Sequence, residues 1–266
     1  MIAAVDPYPD RRPAGGARPA GYRAPVDEVG DAFDYVVVGG GSAGCVVASR
    51  LSEDPSVTVC LLEAGGEGRD LLIRAPLGFA VGMPPARHSW GYETVPQPGF
   101  NGRRGFQPRG KALGGSSTIN AMIYARGHRS DYDGWAALGN PGWGYDDVLP
   151  YFKRSEANAI HRDSPFHGVD GPLHVTNLRS PSPLNEVFLE ACQSQGIPFN
   201  PDFNGEQHHG CYHVQVTQKD GERHSAAAAF IHPNLDRPNL EVRTGAHIAR
   251  VRFDQRRATA VEYQRG

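Results

Sequence analysis

Cysteine, net charge and long apolar runs are all scarce in this sequence, and each scarcity excludes a class of protein. Only four cysteines occur in 266 residues, Cys45, Cys60, Cys192 and Cys211, and no two form a CxxC pair. That is too few for a disulfide framework in a chain of this length. Cys45 and Cys60 lie inside apolar runs and read as small core residues of a protein in a reducing compartment. The formal net charge is −2, which gives no electrostatic case for nucleic acid. No uninterrupted apolar run approaches the ~20 residues a membrane helix needs. The first 30 residues contain PDRRPAGGARPAG and no apolar stretch of signal-peptide length. Their four Arg are balanced by Asp6, Asp10, Asp27 and Glu28. We therefore expect residues 1–30 to form a flexible tail rather than a basic anchor, and a cytoplasmic location.

What is present suits a globular α/β chain. Hydrophobic residues make up 39% and charged residues 21%, which argues against disorder. Tyr35-Val36-Val37-Val38 is a short continuous apolar run, as expected of a strand buried on both faces. Gly39 to Gly44 reads GGGSAG, and Cys45 to Leu51 then has helix-compatible apolar positions that Asp54-Pro55 brings to an end. Val57 to Leu62, VTVCLL, is a second strand ending on Glu63. Residues 34–63 therefore predict one β-α-β unit.

Within that unit, Gly39-x-Gly41-x-x-Gly44 is a GxGxxG. Glycine is common here, 33 of 266 residues, so the spacing alone decides little. The context decides more: a strand precedes it, a helix follows, and the next strand ends on an acid. Gly39 allows the tight turn, Gly41 lets backbone approach a pyrophosphate, and Gly44 lets helix and strand pack closely. Unpaired N–H groups at the helix start would meet the phosphates. Glu63 is placed to accept hydrogen bonds from ribose hydroxyls, and its charge disfavours NADP.

Residues 64–110 lack a clean period, hold Trp90, Tyr92 and Phe106, and predict a functional segment rather than filler. A second glycine turn, RGKALGGSST, then runs from Arg109 to Thr118. It does not follow GxxxxGK[ST], so it is not a phosphate loop of that kind. Two separate glycine turns suit a long, enveloped dinucleotide and favour FAD over NAD. Further on, Asp131–Trp135, Asp146–Ser155 and Pro183–Gln195 read as helices. Pro172–Val175, His213–Thr217, Leu240–Arg243, His247–Phe253 and Thr259–Tyr263 read as strands.

Together, FDYVVVGGGSAG, LLEAGG, RGKALGGSSTINAMIYARG, DYDGWAALGNPGWGYDDVLPYF, QVTQKDGERHSAAAAFIHP and RPNLEVRTGA resemble the glucose-methanol-choline (GMC) oxidoreductases, in particular their alcohol dehydrogenase and choline dehydrogenase-like branch. The likeness covers Phe33 to Tyr263. It implies an α/β fold: an FAD-binding, Rossmann-like domain of the glutathione-reductase type with part of a second, α+β substrate domain, incomplete at its C-terminus. The implied organisation is a tail at 1–30 and the first part of the FAD-binding domain at 31–158, with a cofactor lid at about 75–110. A partial substrate domain at 159–238 and a return to the FAD-binding domain at 239–266 would follow.

The resemblance also implies roles. Gly39, Gly41, Ser42, Ala43 and Gly44 would hold the pyrophosphate, and Glu63 and Ala64 the ribose. Arg109, Ala112, Gly114, Gly115 and Ser116 would cover the cofactor. Asn120, Ala121, Met122 and Ile123 would line the flavin, and Ile248 would pack at the adenine through its backbone. Ile119 occupies the position where some relatives carry a flavin-linking histidine, so FAD would be noncovalent. The implied substrate is a small primary alcohol, with no nucleic acid partner. The catalytic base of such enzymes is a histidine near the C-terminus, and none of the 11 histidines here matches it. A completing C-terminal polypeptide is thus one expectation. Two others are an FAD- or ADP-binding module without turnover, and a remnant without independent fold.

His208, His209, Cys211 and His213 could be metal ligands or a solvated loop entering a strand, and the loop is preferred. His128 reads as structural. His224 precedes a helix start that Ser225 would cap.

Overall fold

The structure is a computed structural model that describes residues 31–79 and 88–265. The expected tail at 1–30 and the part of the expected lid at 80–87 lie outside the described residues. The body of the chain begins at Phe33.

The β-α-β unit forms as the sequence predicts. Strand β1 (Tyr35–Val38) runs into helix α1 (Ser42–Leu51), and β2 (Val59–Leu62) returns parallel to β1. A third strand, β10 (Leu240–Arg243), arrives from almost 180 residues later and pairs parallel with the other side of β2. The order is therefore β1-β2-β10, with β2 in the middle.

All four β2 residues are buried, at about 1.5–3 kcal/mol for each large apolar side chain removed from water. Against one face pack Cys45 and Ala48 of α1, with Phe230 and Ile231. On the other side, Cys60 and Leu62 meet Ala246, Ile248, Val261 and Tyr263. These last residues belong to a long hairpin, β11 (Ala246–Asp254) and β12 (Arg257–Arg265), that pairs antiparallel. The alternation read at Val261 and Tyr263 is thus a strand laid against the sheet.

One expectation fails at β1. Its apolar run predicted burial on both faces, yet Tyr35, Val36 and Val38 are exposed. Among the described residues β1 pairs only with β2. An edge strand without a layer on its outer face keeps its side chains in water, whatever their hydrophobicity.

Between β2 and β10 lie the remaining elements. A short hairpin, β3 (Tyr92–Glu93) with β4 (Phe106–Gln107), falls in the aperiodic stretch. Helices α2 (Arg129–Ala137) and α3 (Tyr145–Ser155) follow. His128 caps α2: its Nδ1 accepts from the Ser130 N–H while Asp131 accepts from the His128 N–H. Strands β5 (Glu156–Asn158), β6 (Leu173–Asn177) and β7 (Gln215–Val216) form a second sheet in that order. Helix α4 (Leu184–Ser194) lies between β6 and β7. Two-residue strands β8 (Gln218–Lys219) and β9 (Glu222–Arg223) pair just after β7. Ser225 Oγ then accepts from Ala228 N–H ahead of the short helix Ala227–Ile231, whose N-cap is Ala226 rather than the serine expected.

The strand expected over His213–Thr217 is only the pair Gln215–Val216. Cys211 is buried, and its thiol points at the carbonyls of Leu189, Ile197 and Pro198. His213 instead stands 3.4 Å from Glu186 and edge-on to Phe199. Cys211 and His213 therefore do not share a ligand face. No group of three or more metal-ligating side chains converges among the described residues.

Candidate cofactor site

The two glycine turns, 70 residues apart in sequence, meet at the C-terminal end of the parallel sheet. The Gly114 N–H donates to the Gly40 carbonyl at 2.6 Å. Gly115 fits so closely that a Cβ there would lie 2.6 Å from the Cα of Gly41. At Gly41, by contrast, an added Cβ would meet nothing within 4 Å. The turn is thus packed on its inner side and open on its outer side.

Helix α1 starts in that opening. Gly41 is its N-cap and no side chain caps it, so the first-turn N–H groups lack partners within the helix and carry its partial positive charge. Ser42 and Ala43 are exposed there. This arrangement is an anion cradle.

Beside the cradle is a cavity of about 300 Å³ lined by Gly39, Gly41, Glu63, Ala64, Gly115 and Ile248. These six come from four separate parts of the chain, and all are among the sequence-predicted site residues. The cavity also touches Gly110, inside the second glycine turn expected over the cofactor, and Val38, Trp90 and His247, for which the sequence assigned no site role. Trp90 is brought in by backbone pairing of 88–90 with 109–111: Trp90 N–H donates to Arg109 O at 2.9 Å, and Lys111 N–H to His88 O at 2.8 Å. Lys111 Nζ stands 4.7 Å from the Trp90 ring centroid, and His247 meets Trp90 edge-on at 5.5 Å. An aromatic inside an aperiodic, Gly- and Pro-rich stretch was the available signal for Trp90. His247 carried none, because strand alternation places it opposite Ile248.

Glu63 does more than await a ribose. It is buried, and its carboxylate accepts from Gly40 N–H at 2.8 Å and Gly65 N–H at 2.7 Å. Burial pushes its pKa up, against those two N–H groups and the charge of Lys111. The acid that ends β2 therefore splints the first glycine turn, and each of its oxygens keeps a further lone pair.

The other predicted residues divide by environment. Ala112 is buried, with its backbone bridging to Gly66. Ser116 Oγ accepts from Gly110 N–H at 3.1 Å. The Arg109 side chain is exposed and donates to Pro108 O. Gly44 packs against the Gly39 carbonyl. The stretch Asn120–Ile123 stands apart from the cavity. Ala121 and Ile123 are exposed, whereas Met122 is buried with its sulfur 3.6 Å from Gln218 Nε2. Met122 therefore offers an outer face only its backbone. That backbone has φ of +63°, a conformation costing about 1–3 kcal/mol that surrounding contacts must fix. Asn120 Oδ1 accepts from Met122 N–H, and Met122 O accepts from Thr217 N–H. Arg223 Nη1 clamps Asn120 in turn, donating to its carbonyl at 2.7 Å and to Oδ1 at 2.9 Å. The sequence reading stopped one residue away, at His224.

A parallel β-α-β unit, an uncapped glycine-rich helix start and a splinting acid at the second strand define a dinucleotide fold. The GMC oxidoreductase family profile matches residues 33–266. This chain belongs to the GMC oxidoreductase family. Its fold is an FAD-binding one, and the family's members are FAD-dependent alcohol and choline dehydrogenases. The GMC chain is 48% identical over 231 residues to an alcohol dehydrogenase [acceptor] of Pseudomonas putida, covering 87% of this chain and 42% of that protein. It is 43% identical over 242 residues to the mitochondrial choline dehydrogenase of Mus musculus, covering 88% and 40%. Among solved structures, pyridoxine 4-oxidase from Mesorbium loti superposes with a TM-score of 0.79 at 35% identity, covering 87% of this chain and 46% of that one. The chain thus spans about two fifths of the length of the curated relatives it matches.

Proposed function

We propose that this chain is the cofactor-holding part of an FAD-dependent oxidoreductase acting on the CH–OH group of a primary alcohol. The observation that carries the reading is the junction of the two glycine turns, closed on the protein side and open at Gly41. The residues fit the cofactor. Gly39, Gly41, Ser42, Ala43 and Gly44 would hold the pyrophosphate at the start of α1. Glu63, Ala64 and the backbone of Ile248 would face the adenosine end, with Trp90 and His247 closing that cavity. Arg109, Ala112, Gly114, Gly115 and Ser116 would form the second turn over the cofactor, and Asn120–Ile123 the wall at the flavin. FAD, when bound, supplies the hydride acceptor, noncovalently, since Ile119 offers no nucleophile.

The chain's own residues bind and orient. In this reading none of its histidines is the base that takes the alcohol proton. His167 is held by Glu156 and Asp202. His224 is half-buried and stays neutral, its pKa pulled down to about 4 by desolvation and by Lys219 and His174. We place the base in a completing C-terminal polypeptide, whose strand would pair with the open edge of β1. We take 31–158 and 239–266 as the FAD-binding domain, since β10 joins its sheet, and 159–238 as part of a substrate domain. No helix among the described residues is long and apolar enough to cross a membrane. We take the location to be cytoplasmic, in keeping with Cys45, Cys60, Cys192 and Cys211 forming no disulfide with one another.

The test is a titration of the purified chain with FAD, followed by quenching of flavin fluorescence, with ADP as competitor. Saturable quenching reversed by ADP is expected. Folded protein that quenches no flavin and binds no ADP would refute the reading.

A further inference from the structure

Arg223 is a buried cation without a counter-ion among the described residues. It is 4% exposed. Its Nε donates to Ile73 O at 2.8 Å, and Nη1 to the carbonyls of Ser117 and Asn120 and to Asn120 Oδ1. All these acceptors are neutral. Its Nη2 is buried with no partner among the described residues. Burial lowers its pKa to about 10, so it remains charged at neutral pH. Leaving such a donor unmet costs about 1–3 kcal/mol, and leaving the charge unpaired costs more.

Arg223 borders a cavity of about 200 Å³ that is separate from the dinucleotide cavity. Its other polar lining is Arg69, Arg74, Glu222, Ser225 and His232. His232 Nε2 is a second buried nitrogen without a partner. Burial and the nearby Arg69 hold the imidazole pKa below its ordinary value, against a hydrogen bond to the Glu67 backbone and the Glu67 charge. Ser225 Oγ accepts from Ala228 N–H, which leaves its own O–H free to donate. Arg74 is paired with Glu222. Arg69, Arg74 and Glu222 reach solvent, so the charge left unpaired in the cavity is that of the buried Arg223.

Water alone would fill that space but not balance it. At roughly 30 Å³ per molecule, several waters fit and could satisfy the two unpartnered nitrogens. They would leave the guanidinium charge uncompensated. A small oxyanion satisfies the donors and the charge together, through charge-assisted hydrogen bonds.

We propose that this cavity is a binding site for a small tetrahedral oxyanion of the inorganic phosphate class, with Arg223, Arg69 and Ser225 as its donors and His232 in its wall. The occupant neutralises the guanidinium that clamps Asn120. It therefore stiffens the 117–122 stretch through Arg223. The site stands whether or not FAD binds, so its failure and that of the cofactor reading are distinguishable.

The experiment is thermal unfolding of the full chain in increasing phosphate, against chloride at matched ionic strength, with and without the Arg69→Gln, His232→Gln double substitution. Neither of these residues clamps the Asn120 stretch, so the variant should fold. The midpoint of the unsubstituted chain should climb with the logarithm of phosphate concentration once the site fills. The variant should lose most of that climb. Crystals grown with selenate should show an anomalous peak within hydrogen-bond distance of Arg223 Nη2. Three results would each overturn the proposal: equal shifts in chloride and phosphate, an unchanged response in the double variant, or a cavity holding only water. A selenate peak without a midpoint shift would mean an adventitious ion only, and would overturn it as well.

Discussion

Glu156→Gln is expected to destabilise the chain by about 3–5 kcal/mol, the usual cost of removing one partner from a buried ion pair. Glu156 starts β5 and is fully buried. Arg126 Nη2 donates to its Oε2 at 2.6 Å, His167 Nδ1 reaches Oε1 at 2.9 Å, and Asn158 Nδ2 donates to Oε1 at 2.9 Å. The other His167 nitrogen meets Asp202 at 3.0 Å. Arg126 also donates from Nη1 to Phe166 O, and its backbone N–H donates to Asn204 Oδ1. One carboxylate therefore ties three segments together directly, and a fourth, Asp202–Asn204, through His167 and Arg126. Glutamine fills the same volume but turns one acceptor into a donor facing Arg126 or His167. Denaturant midpoints of the two proteins measure the loss. Adding Arg126→Met should recover part of it, because the stranded cation goes too. A single-variant loss below about 1 kcal/mol would show that the network is energetically idle.

The same network fixes a pH dependence. Burial opposes charge on His167, but the hydrogen bonds it donates to Asp202 and Glu156 outweigh it and raise the His167 pKa. Stability from His167 is therefore full below its unfolded pKa, about 6.5, and is lost as pH rises through the raised folded value. Glu156 and Asp202 are lowered despite their burial, with His167 the main cause in each case. Their stability is full above the unfolded carboxylate values, about 4, and is lost as pH falls through the lowered folded ones. The difference in stability between the native chain and Glu156→Gln should then be greatest between about pH 4.5 and 6.5. It should narrow toward both extremes.

Local features were legible in the sequence and convergent ones were not. The turn at Gly39–Gly44 and the strand ending on Glu63 each involve residues within a few positions, or within one supersecondary unit. Their physics can be read from spacing. The Arg126–Glu156–His167–Asp202 network spans 77 residues from end to end, and no periodicity marks its members. Arg223 was hidden for the same reason: its acceptors, Ile73, Ser117 and Asn120, lie about 100 to 150 residues upstream. At β1 the error had another source. A continuous apolar run records what a strand prefers against its faces. It does not record whether a layer is there, and Val36 and Val38 remain exposed.

Gly44→Ala should weaken FAD binding between about fivefold and about 150-fold, the equivalent of an overpacking cost of about 1–3 kcal/mol. A Cβ at Gly44 would fall 1.9 Å from the Gly39 carbonyl oxygen and 3.1 Å from its carbon. Both are backbone atoms, so no rotamer change relieves the clash. The start of α1 must lift from the turn, and Cys45, whose thiol donates to Gly40 O, would be drawn with it. The junction with Gly114 then loosens, and stability and cofactor affinity fall together. Gly41→Ala isolates the second effect. Gly41 has φ of −73° and empty space where its Cβ would be, so alanine fits the free protein without strain. The added methyl would stand where the reading puts the pyrophosphate. Gly41→Ala should therefore unfold like the native chain in denaturant yet quench flavin fluorescence far more weakly. If it binds FAD as tightly as the native chain, the phosphates do not cross this turn, and the cradle at α1 has been assigned to the wrong ligand.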